Sequence, residues 1–158
     1  MHSIRPDLQL VNLRGNVQTR LEYLKDGGIV DALVMARAGF HRLGISISNA
    51  ENCCNLSAEE MLPGPGQGIV GITCQGNNNV MLELLEVIND EHACIAATAE
   101  RQVLNTVDST IANKPYDGRP PLAAYMSCND DSGWILKARL LRPGGTRMIH
   151  VQREHLTM

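Results

Sequence analysis

The sequence predicts an α/β lobe followed by an α+β lobe: a β-α-β-α unit with a parallel sheet, then a small three-stranded antiparallel sheet with a helix. Three observations lead there. Apolar runs alternate with short helix-forming stretches over the first 44 residues, a Pro/Gly-rich break interrupts the chain at "LPGPGQG", and three alternating runs separated by turn signals close it.

In chain order, "PDLQLVN" (6–12) alternates as a strand does, and "RGNVQTRLEYLKDGG" follows with Asn16 placed to cap a helix that Gly27 and Gly28 end. "IVDALVMA" (29–36) is a continuous apolar run suited to a buried parallel strand, and "RAGFHRLG" is a helical turn closed by Gly44. Residues 1–61 therefore form the first lobe. Residues 62–88 cross between lobes: "GIVGITC" (68–74) reads as a strand and "NNNVMLELLEVIND" as an Asn-capped helix with Val80, Leu82, Leu84, Leu85 and Ile88 apolar. Residues 89–158 form the second lobe. A helix over roughly Glu91–Thr106 precedes a turn-rich loop over 107–120, which its Gly, Pro, Asp and Asn content marks as flexible. Then come "LAAYMSC", "GWILKARLL" and "TRMIHVQ", joined through "NDDSG" and "RPGG". In the middle run Trp134, Leu136, Ala138 and Leu140 share one face and Lys137 and Arg139 the other.

Composition narrows the function. A net charge of −3 with 3% aromatic residues supplies neither a basic field nor stacking platforms, so nucleic acid is not an expected partner. No run of about 18 apolar residues is present and "MHSIRPDLQL" resembles no leader, so a cytoplasmic protein without a membrane contact is expected. Five cysteines (Cys53, Cys54, Cys74, Cys94, Cys128) lack metal-site spacing and are expected as reduced, mostly buried thiols; no metal ligand set is expected. Eleven of the 14 basic residues are Arg, whose planar fork suits carboxylates.

"GQGIVG" (66–71) matches the dinucleotide pattern G-x-G-x-x-G, but prolines precede it and a strand is expected after it, so it reads as a hinge or as close backbone packing. "LRGNVQTR" is more informative. Arg14 leaves the first expected strand and Arg20 lies on the first turns of the helix, at the strand end where anions bind in parallel sheets. Arg42 follows the second expected strand and can join them from the same edge, whereas Arg37 is expected to be exposed.

"LRGNVQTRL" (13–21), "DALVMARAGFHRLG" (31–44), "LPGPGQGIVGITC" (62–74), "ATAERQVL" (97–104) and "RPPLAAY" (119–125), in this order, resemble porphobilinogen deaminase, the hydroxymethylbilane synthase family. That resemblance implies a transferase of tetrapyrrole (haem) biosynthesis that joins four porphobilinogen molecules head to tail with loss of ammonia. It implies a dipyrromethane cofactor held by a thioether to one cysteine, with Arg14, Arg20 and Arg42 binding pyrrole carboxylates. The resemblance implies that the family's first domain, with its catalytic aspartate, is almost wholly absent here, only residues 62–88 matching the strand and helix that the family returns to it, so no catalytic residue is assigned. The family's anchor cysteine falls at Gly118, or near Ser109–Ile111 in another alignment, and neither offers a thiol. The cofactor is therefore expected not to be covalently bound. The family also continues into a helix beyond residue 158, which leaves the last sheet expected to expose apolar surface to a missing-domain partner or a homo-oligomer. Porphobilinogen and linear pyrrole carboxylates are the expected ligands; the alternatives are a non-catalytic pyrrole-binding relative and an oligomeric structural remnant. The first lobe is similar also to lobes of periplasmic-type binding proteins.

Overall fold

A computed structural model describes residues 5–25, 28–45, 53–111, 120–129, 133–142, 145 and 147–156. The chain divides into two compact units, Pro6–Ser57 and a larger one containing Ala58–Met158.

In the smaller unit, helix α1 covers Val17–Glu22 and α2 covers Arg37–Arg42. Asn16 caps α1, its side-chain oxygen accepting from the Thr19 amide at 2.8 Å. The helix ends at Glu22, with Tyr23 closing it onto the Arg20 and Leu21 carbonyls, well before the expected stop at Gly27 and Gly28. Residues 6–12 and 30 and 32–36 are extended or irregular, and no ladder joins them among the described residues. The expected parallel pair is therefore not formed here. A parallel strand is stable when both faces are covered, whereas Leu10, Val11 and Val34 are exposed and no residue of α1 or α2 is buried.

The larger unit contains α3 (Asn79–Val87), α4 (Glu91–Ile111), β1 (Leu122–Asn129), β2 (Gly133–Leu141) and β3 (Met148–Leu156). Asn78 caps α3 through the Met81 amide at 3.1 Å, and Asp90 caps α4 through the Ala93 amide at 2.9 Å. Two expectations change along this stretch. Residues 69–75 form no strand: Val70 is 82% exposed, and among the described residues no neighbouring strand supplies a ladder. Helix α4 also runs on to Ile111, so residues 107–111 are helical and the expected 107–120 loop begins later; 112–119 lie outside the described residues. Ser109 and Thr110 hydroxyls donate to the Thr106 carbonyl, which lets these polar residues continue the helix.

The three strands form one antiparallel sheet in the order β1-β2-β3. Leu122, Ala124, Met126 and Cys128 stand opposite Leu140, Ala138, Leu136 and Trp134, as the alternation of the middle run requires. Helix α4 packs chiefly on β1 and less on β2. Beneath it lie the buried residues Ala96, Ala124 and Met126, joined by Leu62 from the crossing segment. His92 meets Trp134 edge to face at 5.4 Å, extending this contact to β2. β3 is less covered: Ile149 and Val151, which register with Leu140 and Ala138 on the helix side of the sheet, are exposed. A bulge between Trp134 and Leu136 shifts the register of β2 and β3.

The cysteines depart from expectation. No disulfide joins them, but Cys53, Cys54, Cys94 and Cys128 are exposed and Cys74 is half-buried. The core contact of α4 is a narrow stripe centred on Ala96 and Glu100, and Cys94 falls outside it, while Cys128 sits at the end of β1.

Candidate functional site

The arginine site is built on the smaller unit. Gly15 takes φ +126°, a left-handed conformation in which a Cβ would stand 3.1 Å from the Thr19 methyl. This turn sends the chain from the extended segment into α1 and leaves the Gly15 carbonyl accepting from Arg20 Nε at 2.9 Å. Asn16 secures the other side, because its oxygen also accepts from the Thr19 hydroxyl at 3.0 Å. The Arg20 guanidinium is thereby held beside the residue that follows Arg14. Arg14 is exposed and Arg20 half-buried.

Arg42 lies on α2 and lines a wide-open depression with Arg37, Ala38 and His41. The two helices approach closely at Gly39, where a Cβ would stand 3.2 Å from Val17 Cγ2. Thus Arg20 is held on the turn that follows Arg14 in the chain, and Arg42 sits on the helix that approaches α1 at Val17. Arg37, given no role from the sequence, shares the depression with Arg42 and is exposed as expected. Such guanidiniums can hold carboxylates through paired N–H donors. Helix α1 has only six residues, so its dipole adds little to this side-chain chemistry.

Gly118 lies outside the described residues, Ser109 and Thr110 are on the last turn of α4, and the exposed thiols belong to other segments. The guanidinium donors of the smaller unit fit the carboxylates of a pyrrole. Among the described residues no group of three or more His, Cys, Asp and Glu side chains is placed to hold a metal ion, and no helix is long and apolar enough to cross a membrane.

A second polar cluster lies on the sheet face away from α4. Lys137 and Arg139 both reach Glu59, the lysine through the carboxylate and the arginine through the backbone carbonyl, and Arg139 Nε donates to His150 Nδ1 at 3.0 Å. The hydrogen bond from Lys137, with further attraction from Lys137 and Arg139, holds the Glu59 carboxyl below the usual carboxylate range. Since Glu59 occupies both cations, this cluster works as a tether.

Glu100 escaped sequence reasoning. It is 3% exposed, and its carboxylate takes two backbone amides, Gly66 at 2.7 Å and Met126 at 2.8 Å. A signal did exist: Glu100 follows Ala96 by four residues and so falls on the apolar stripe of α4.

The sequence model "Porphobilinogen deaminase, dipyromethane cofactor binding domain" matches residues 1–83. Among individual relatives, the chloroplastic porphobilinogen deaminase of Oryza sativa subsp. japonica is 37% identical over 149 residues, covering 94% of this chain and 38% of that protein. Porphobilinogen deaminase of Sorangium cellulosum is 36% identical over 153 residues, with 97% and 47% covered. The enzyme so named in Campylobacter hominis is 43% identical over 152 residues, with 95% and 45% covered. The chain thus spans less than half the length of these relatives.

Proposed function

The chain belongs to the porphobilinogen deaminase family, and we propose that it serves that family's reaction in tetrapyrrole biosynthesis by binding pyrrole carboxylates through Arg14, Arg20 and Arg42. The observation that supports this reading is the Arg20 geometry, in which one capped turn holds the guanidinium on the carbonyl of Gly15, the residue after Arg14 in the chain. Acetate and propionate groups of porphobilinogen or of a linear pyrrole are the matching anions. A dipyrromethane bound here would supply the primer for pyrrole addition, held by ion pairing and not by a thioether.

In this reading residues 6–12 and 29–36 become parallel strands when further strands cover them, and Arg14 and Arg42 then leave one sheet edge together. A partner or a second copy supplies that cover, and the protein acts in the cytoplasm.

Intact mass before and after incubation with porphobilinogen, while loss of the free pyrrole is followed, tests the proposal together with a binding titration. Saturable binding without a covalent adduct is expected. A pyrrole adduct would overturn the non-covalent assignment and point to one of the five cysteines. Equal binding by the wild type and an Arg14→Ala/Arg20→Ala variant would overturn the arginine site.

A further inference from the structure

The carboxylate of Glu100 is the only polar or charged side chain buried among the described residues, and both of its oxygens are used. Oε2 accepts from the Gly66 amide at 2.7 Å and Oε1 from the Met126 amide at 2.8 Å. Those amides belong to different segments, one to the glycine-rich crossing and the other to β1. A third bond joins the same pair, with Ala124 N donating to the Pro63 carbonyl at 3.1 Å. Residues 63–66 therefore occupy the outer edge of β1, whose amides an edge strand would otherwise leave open.

The crossing segment is also closed on itself. Gly64 N donates to the Gln67 side chain and Gln67 N to the Gly64 carbonyl, both at 3.0 Å, and Ile69 N donates to the Gly66 carbonyl at 3.2 Å. Gly66, at φ +72°, presents its amide to Glu100 from a conformation other residues rarely adopt. Past this turn the chain is open to solvent, as Val70 and Ile72 show.

We propose that Glu100 is a positioning residue that fastens the glycine-rich crossing to the edge of the sheet, so that residues 69–90 pivot beyond Ile69 and not within the glycines. The chemistry at this position is narrow. Glutamine has one acceptor oxygen and would turn an NH₂ group toward the second amide, aspartate is one methylene shorter, and an apolar side chain leaves two buried N–H groups without acceptors. Of the two readings that sequence patterning leaves for these glycines, a hinge or close backbone packing, this arrangement favours the second. The inference concerns the packing of the larger unit and stands independently of pyrrole binding.

Amide hydrogen exchange read by NMR, with limited proteolysis by a non-specific protease, tests it. In the unmodified chain the Gly66 and Met126 amides should open together in one denaturant-dependent step, and the first cleavages should fall beyond Ile69. Glu100→Gln should speed exchange at one of these two amides by roughly ten- to a hundredfold while sparing the other, and should admit cleavage within 63–68. Glu100→Ala should release both. Unchanged exchange at both amides in Glu100→Gln would overturn the assignment. If neither variant folds, the unmodified chain decides: exchange at Gly66 as fast as an unstructured peptide, or first cleavage within 63–68, rejects the fastening.

Discussion

The two units of this chain meet the problem of covering apolar residues in opposite ways. In the larger unit α4 lies on β1 and closes a small core containing Ala96, Ala124 and Met126. In the smaller unit neither helix buries a residue, and Leu8, Leu10, Val11, Ile29 and Val34 are exposed. The difference lies in where each strand finds its partner. β1, β2 and β3 are consecutive, so short antiparallel connections bring their hydrogen-bonding edges together. Segments 6–12 and 29–36 were expected to pair in parallel, and such strands become stable only inside a wider, doubly covered sheet. Local antiparallel pairing makes the first arrangement self-sufficient, while the second depends on further cover.

The largest effect expected from this contrast is at Met126. Met126→Ala should lower the stability of the larger unit by about 3 kcal/mol in urea denaturation, because a nearly buried side chain leaves a cavity next to α4. A cost near zero would mean that the helix–sheet contact is not a core. Binding gives the next effect: Arg20→Ala should weaken porphobilinogen binding by about tenfold in a titration, as loss of one charge-assisted pair predicts. An undiminished affinity would remove the smaller unit from the site.

Asn16→Ala should cost about 1 kcal/mol of local stability, read as faster exchange of the Thr19 amide, since that N–H loses its acceptor. By contrast Leu10→Ala, in a side chain 60% exposed, should change stability by less than about 0.5 kcal/mol. A larger loss would show that residues 6–12 do pack in solution and would weaken the contrast between the units. The smallest effect concerns acid. Because the folded-state pKa of Glu59 is lowered, its contribution is complete above the ordinary carboxylate range and is lost as pH falls through its depressed folded-state value. A side-chain carboxyl titration of Glu59 by NMR should show a midpoint below that of an isolated glutamate, and Lys137→Met should bring it back up.

Local chemistry was legible in the residues themselves. Asn16 and Asn78 cap the helices they precede, Gly44 ends α2 with φ +65°, and the alternation of Trp134, Leu136, Ala138 and Leu140 set the face of β2 in the sheet. Each rests on contacts within a few residues or on the two-residue repeat of a strand. The motifs around Arg14, Arg20, Arg42 and the crossing likewise carried the family resemblance.

Longer-range pairing was decided only by the tertiary structure. "GIVGITC" has the composition of a strand, yet Val70 and Ile72 remain exposed because among the described residues no neighbour offers them a ladder. The cysteines, small hydrophobes by composition, are mostly exposed, and Cys94 is so because it lies off the one stripe of α4 that is buried. Glu100 is the clearest case. Its residue type signals a solvated helix face, and only the arrival of Gly66 and Met126 from 34 and 26 residues away makes a buried carboxylate the acceptor that joins two segments.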